Sequence, residues 1–350
     1  MCVSPAAAGA DERLAAVKAW LAGLTDVVKG LDIETLEPAS ADASFRRYFR
    51  IAGEGLSSDA APATYIVMDA PPERESIASF LKVDALMAEA GLNVPKILAV
   101  DEARGFILMS DLGRQTYLDV LNEDNARSLM DAATDALVLW QKASRPGVLP
   151  DYDHAVLKRE IELFPEWYVK VHRGYTITDK QREIVERCFE RIIANNLNEA
   201  RVFVHRDFMP RNLMVSDPMP GVLDFQDALM GPVSYDIASL MRDAFISWGE
   251  TFVLDTTIRY WDKARKAGIS VPQDFGIFWR DVEWMGMQRH LKVLGIFARI
   301  NYRDGKPKYL ADTPRFIGYV RQCANRYAEL KPINWLLDCF EEEKTKEAYF

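Results

Sequence analysis

A chain of 350 residues with 49% hydrophobic side chains and a formal charge of −9 has enough apolar material for two lobes sharing a cleft. The acidic balance argues against wholesale nucleic-acid binding, and no run approaches the roughly 20 apolar residues of a membrane span. Cys2, Cys188, Cys323 and Cys339 are too few and too scattered for a disulfide framework and contain no Cys-x-x-Cys pair, so a reducing cytoplasm is the expected compartment.

The opening Met1–Ala10 is rich in small residues but lacks the basic start and apolar core of an export signal; a disordered tail is expected. Leu14, Val17, Leu21 and Leu24 recur at helical spacing and predict an amphipathic helix packed outside the first sheet. Strands are predicted over 45–51, 65–69, 97–101 and 106–110, with one helix over 77–90. The Gly-, Ser- and Pro-bearing stretch 53–63 reads as a surface hairpin loop. Beyond Leu112-Gly113 the periodicity turns helical, over 125–144, 154–172, 178–195, 235–245, 251–266, 274–300 and 313–330. The charged run 341–346 reads as a solvated helix end.

Two short strands interrupt the helical part, Val202-Phe203-Val204 and Leu213-Met214-Val215. They flank a loop containing Pro210, which displays side chains instead of burying them. The loop carries His205-Arg206-Asp207 and, five residues after the aspartate, Asn212. A third oxygen ligand, Asp224, ends the apolar run Val222-Leu223. Phosphoryl transfer asks little covalent work of a protein: one group takes the acceptor's proton, and others hold a metal against the phosphates. Asp207 has the chemistry of that base, while Asn212 and Asp224 supply oxygen ligands of the kind Mg²⁺ prefers. His-x-Asp-x-x-x-x-Asn alone arises by chance; a strand, a second aspartate and Gly231-Pro232-Val233-Ser234-Tyr235-Asp236 before a helix make the pattern specific.

With these motifs the chain resembles the aminoglycoside phosphotransferase and choline kinase superfamily. Segments 41–50, 68–72, 205–212, 223–228 and 287–299 are most similar to the anomeric N-acetylmuramate/N-acetylglucosamine kinases of bacterial cell-wall recycling. The resemblance implies an α+β, two-lobed protein-kinase-like fold. A small antiparallel-sheet lobe would occupy residues 1–112, and a mainly helical lobe with the catalytic loop and acceptor site residues 113–350. It also implies ATP and Mg²⁺ as cofactors, and transfer of the γ-phosphoryl group to a sugar's anomeric hydroxyl. A cytoplasmic monomer acting on a small amino sugar, with no nucleic-acid or membrane partner, is the corresponding expectation. Two alternatives stay open: another hydroxylated acceptor (an aminoglycoside, choline or a homoserine-like metabolite), or a pseudokinase that binds ATP without turnover.

On the nucleotide side the chain departs from the family pattern. Ala41-Asp42-Ala43-Ser44-Phe45-Arg46 stands where kinases place a Gly-rich phosphate loop, and Met68 where a strand lysine contacts the phosphates. Strand alternation puts Ser44, Arg46 and Tyr48 on one face, which makes Ser44 and Arg46 candidates for phosphate and Tyr48 for adenine. Arg46, then Lys82, are the candidates for the missing cation. Met109 and Asp111, in the run resembling the adenine hinge, complete the ATP-binding set. On the acceptor side, cations dominate residues 279–306, which favours a neutral or anionic sugar over a polycationic aminoglycoside. Arg289, His290 and Arg299 are the substrate-binding candidates there, the arginines for a lactyl carboxylate.

Overall fold

The computed structural model describes residues 5–40, 45–55 and 63–347, with side chains over 12–39, 45–55 and 63–340. The chain divides into two compact units: Met1–Glu89 with Asn93–Arg114 and Met214–Gln226, and Ala90–Leu92 with Gln115–Leu213 and Asp227–Phe350.

The first unit contains α1 (Pro5–Ala22), β1 (Asp32–Ser40), β2 (Arg47–Gly53), β3 (Ala63–Asp69), α2 (Ala78–Glu89), β4 (Ile97–Asp101) and β5 (Phe106–Ser110). Its strands form an antiparallel sheet in the order β1-β2-β3-β5-β4. Phe49 pairs with Val67 and Val67 with Leu108, so alternate residues stack into one apolar face. Val17 and Leu21 of α1 pack on it together with Phe49, Ile51, Val67, Phe106 and Leu108, which is the predicted placement of an amphipathic helix outside the sheet. Buried Asp69 anchors the helix: it accepts hydrogen bonds from Arg13 Nε (2.9 Å) and Arg47 Nε (2.9 Å). The expected disordered tail is corrected over Pro5–Ala10, which belongs to α1; four of those six residues are alanine, the strongest helix former. Strand β1 was not expected. It contains Pro38, which a sheet tolerates at an edge because the missing N–H then faces away from the ladder.

The second unit begins with α3 (Tyr117–Val120), α4 (Ala126–Lys142), α5 (His154–Ile161), a π-helical segment (Phe164–His172) and α6 (Asp179–Leu197). Next come β6 (Arg201–Val204), a 3-10 turn (Pro210–Asn212) and, after β7 (Leu213–Met214) at the boundary and β8 (Gly221–Val222) in the first unit, β9 (Leu229–Pro232). The chain closes with α7 (Tyr235–Met241), α8 (Glu250–Lys266), α9 (Phe275–Asp304), α10 (Thr313–Arg326) and α11 (Lys331–Glu347). The helix expected over 154–172 is split, because Pro165 sits in the first turn of the π segment and cannot donate to the preceding helix.

Helix α9 is the axis of this unit, with every residue from Trp284 to Gly295 buried. Gly295 permits its contact with the π segment: a Cβ there would lie 2.3 Å from the Leu163 carbonyl carbon. Gln288 Nε2 donates to the Leu157 carbonyl at 2.8 Å and ties α9 to α5. No described helix is long and apolar enough to cross a membrane.

Candidate active site

Strand β6 pairs antiparallel with β9, from Arg201 opposite Pro232 to Val204 opposite Leu229. Buried Val202, Phe203 and Val204 hold it in the core, so the chain leaves at His205 from a rigid base. Asp236, in the first turn of α7, braces that exit. Its carboxylate accepts the backbone N–H groups of His205 (2.7 Å) and Arg206 (3.0 Å). Burial, and more weakly the charge of Asp207, push its pKa up to about 7 against those two bonds.

Arg206 has φ 78°, the left-handed region that residues with side chains avoid. The turn thrusts Asp207 out of the strand direction and leaves it half-buried. Asn212 is half-buried on the same loop, and its Nδ2 donates to the Asp207 carbonyl at 2.8 Å, which fixes the amide's orientation. His205 is fully buried and packs edge-on against Phe208 at 5.6 Å; it braces the loop.

In the first unit, Asp224 follows β8 and is also left-handed, with φ 62°. Gln226 Nε2 donates to its Oδ1 at 2.8 Å. The neighbouring Phe225 is fully buried against Phe80 of α2, ring centroids 4.9 Å apart, and the Val222 N–H donates to the Asn93 carbonyl at 2.8 Å. These contacts hold the turn so that the carboxylate is presented from a fixed backbone. Among the described residues no three His, Cys, Asp or Glu side chains form a metal cluster. Asn212 and Asp224 each offer an oxygen donor of the kind that suits Mg²⁺, a hard cation that keeps several ligand positions for water and phosphate oxygens.

The nucleotide-side candidates share the first unit. Ser44, with the rest of Ala41–Ser44, lies outside the described residues. Met68 is fully buried. Arg46 is buried and donates from Nε to Glu75 at 2.9 Å; burial opposes its charge, but Glu75 and Tyr48 overcome it and raise the pKa. Tyr48 is half-buried and pairs with Met68 across β2 and β3. Lys82 is exposed on α2. Met109 is buried in β5. Asp111 accepts from Arg50 Nε (2.5 Å), Thr64 Oγ1 (2.6 Å) and the Gly113 N–H (2.9 Å), so it ties β2 and β3 to the chain leaving β5. Burial opposes its charge, but Arg50 and Thr64 outweigh that and lower its pKa.

The acceptor-side candidates lie on α9 but do not form one group. Arg289 is 2% exposed, and its charge acts on Asp236 and Asp243. His290 is 3% exposed between Phe316 and Tyr319, at 5.5 and 5.0 Å. Burial, then Arg289 and Arg242, push its pKa well below the ordinary value, against a weaker opposite pull from the Arg242 main chain. Arg299 is half-buried, and its Nε has no hydrogen-bond partner among the described residues. Ten residues of helix separate Arg289 from Arg299 by about 15 Å of rise and about 80° of rotation. That spacing does not aim both at one carboxylate.

Three polar residues of the second unit have contacts that the sequence does not foretell. The Asp236 segment was singled out, but not that its carboxylate caps the catalytic loop. Glu160 and Lys292 are buried charges beside Arg206; inside helical stripes they carry no local signal. A cleft of about 720 Å³ also opens in this unit, lined by Glu199, Ala200, Val233, Arg265 and Asp281 among others. Ala200 precedes β6 and Val233 follows β9, so the cleft lies at the end of the strand pair opposite His205.

A model of the phosphotransferase enzyme family matches residues 35–269. The chain is 53% identical to an N-acetylmuramate/N-acetylglucosamine kinase of Pseudomonas aeruginosa, covering 86% of this chain and 87% of that protein. It is 48% identical to the protein of the same name from Pseudomonas putida, over 93% and 96%. Among solved structures, choline kinase from Cryptosporidium parvum shares the fold at a TM-score of 0.59 and 12% identity, covering 91% of this chain and 98% of that one. The family match spans well over half the chain and includes the loop built around Asp207, and the chain belongs to the phosphotransferase enzyme family.

Proposed function

We propose that this protein transfers the γ-phosphoryl group of ATP to the anomeric hydroxyl of N-acetylmuramate and N-acetylglucosamine, giving the sugar 1-phosphates in cell-wall recycling. The observation that carries this reading is near-full-length identity of about one half to kinases of that name, in a chain that holds Asp207 and Asn212 on one braced loop. The acceptor oxygen attacks the γ-phosphorus, the bond from that phosphorus to the oxygen bridging it to the β-phosphate breaks, and the acceptor's proton passes to Asp207. A hydroxyl is a poor nucleophile until its proton has a destination, and a positioned base contributes on the order of 10² to 10⁴-fold. Asn212 and Asp224 are the residues that would hold Mg²⁺, which supplies positive charge to the phosphate oxygens.

Arg46 is our candidate for the cation missing at Met68. Kinases pair a strand lysine with a helix glutamate, and the Arg46–Glu75 pair joins a cation beside β2 to an acid just ahead of α2. Arg46→Ala is expected to raise the KM for ATP about tenfold in a steady-state assay; an unchanged KM excludes the role. Of the acceptor candidates, Arg299 keeps a direct role toward the lactyl carboxylate. Buried Arg289 and His290 are assigned to the support of α7 and α9 around that side. A cytoplasmic setting agrees with the free thiols of Cys188, Cys323 and Cys339.

The test is phosphorus NMR of the products formed from ATP and a mixed pool of amino sugars. Signals of sugar 1-phosphates are expected; phosphate on C6, or on an aminoglycoside or choline supplied alongside, would redirect the assignment.

A further inference from the structure

Four segments of the second unit send side chains into one cluster that begins at the residue just before the proposed base. Arg206 Nη2 donates to Glu160 Oε1 at 2.5 Å. Glu160, at the end of α5, also accepts the Tyr152 hydroxyl and lies 3.4 Å from Lys292 Nζ. Lys292, in the middle of α9, donates to the Tyr235 hydroxyl at 2.7 Å, and Tyr235 opens α7 beside the loop-capping Asp236. Tyr152 and Tyr235 meet edge to face at 5.5 Å, and the Arg206 guanidinium lies 5.9 Å from the Tyr152 ring centre.

Apart from Arg206, whose side chain is 22% exposed, the cluster is nearly dry. Glu160 and Lys292 are each 7% exposed, and Tyr152 and Tyr235 are fully buried. Burying charge is costly, and apolar residues of similar volume commonly replace a buried ion pair without loss of stability. Keeping two cations and one acid behind an exit loop therefore calls for more than a stability explanation. The arrangement has an unusual target, because the side chain it grips belongs to the residue whose left-handed backbone turns Asp207 out of the strand. Asp236 fixes that backbone through its N–H groups, and the Glu160 cluster fixes the same residue through its guanidinium. The cluster carries one net positive charge, and the carboxylate of Asp207 acts on both Lys292 and Arg206.

We propose that Glu160, Lys292 and Tyr235 are positioning residues for phosphoryl transfer: through Arg206 they hold the strained turn that aims Asp207 at the acceptor hydroxyl. This inference rests on the reading of Asp207 as the base. It differs from that reading in assigning a catalytic consequence to residues on α5, α7 and α9 that touch neither substrate nor metal.

The experiment measures kcat and both KM values, with N-acetylmuramate and ATP, for Tyr235→Phe, Glu160→Gln and Lys292→Met. Each is also measured in the Asp207→Asn background by single turnover with enzyme in excess, and melting temperatures are recorded throughout. Lys292→Met is expected to lower kcat about 10- to 100-fold and Tyr235→Phe about three- to tenfold, with both KM values within about twofold. In the Asp207→Asn background the same changes should cost less than about twofold, because residues that act through one group are not additive with its loss. Equal losses in the two backgrounds, or losses that follow the melting temperature, overturn the positioning role while leaving the base in place. Near-normal activity of Asp207→Asn alone overturns the base, and this inference with it. Tyr235→Phe removes one oxygen and keeps the ring, so it carries the same comparison if Lys292→Met does not fold.

Discussion

At the scale of single residues, the proposed chemistry rests on one carboxylate on a strained loop, Asp207. Asp207→Asn keeps the shape of the side chain and removes its basicity, so turnover should fall at least about 100-fold. Nucleotide affinity, followed with a fluorescent ATP analogue, should stay within about threefold, because the base takes no part in holding ATP. A second residue tests the electrostatics of the interior. Asp84 on α2 is buried, its Oδ1 has no partner among the described residues, and burial pushes its pKa up to about 7. The folded protein therefore holds a proton there that the unfolded chain loses from an ordinary value of 3.8. Stability from this group is fully present below about pH 4 and is lost progressively as pH rises to about 7. Asp84→Asn cannot ionise: calorimetry should find its melting temperature close to the parent's near pH 4 and several degrees higher at pH 8. A constant gap across that range would show that burial does not set the titration.

At the scale of elements, α9 organises the second unit, and at Gly295 its backbone lies against Leu163 with no room for a side chain. In an isolated helix Gly→Ala would stabilise by roughly 1 kcal/mol. Here the added carbon would sit 2.3 Å from the Leu163 backbone, and backbone on both sides cannot yield as a flexible side chain can. Overpacking of this kind typically costs about 1–3 kcal/mol, so packing should win over propensity. Gly295→Ala is expected to lower the melting temperature by several degrees, and a rise would mean that the π segment moves freely. Elements also show where sequence patterns fail. The helix over 154–172 was legible from its apolar stripe, but the stripe is blind to the break that Pro165 introduces. β1 was hidden because its Asp, Glu and Pro residues suit a half-solvated edge and give no apolar alternation.

At the scale of the whole molecule, the net charge of −9 opposes an anionic sugar, whereas Arg299 in its proposed role would attract one. Local charges should prevail, since the Debye length at physiological salt is about 8 Å. N-acetylmuramate carries a carboxylate and N-acetylglucosamine does not. The ratio of their kcat/KM values should thus fall as salt is raised from about 0.05 to about 0.5 M, and Arg299→Ala should lower it about tenfold at low salt. A ratio that rises with salt would mean that overall repulsion governs. By itself, the sequence determined the sheet-then-helix order of the chain and put forward Asp207, Asn212 and Asp224 as the candidate site, because period, strand ends and oxygen-donor spacing are local properties. Only the tertiary structure decided the rest. It buried Arg289 and His290, grouped residues 214–226 with the first unit, and brought Glu160, Tyr235 and Lys292 to Arg206. A charge buried against a partner more than a hundred residues away looks, along the chain, like any charge on a helix face; its meaning comes from solvent exclusion, which exists only once the helices have packed.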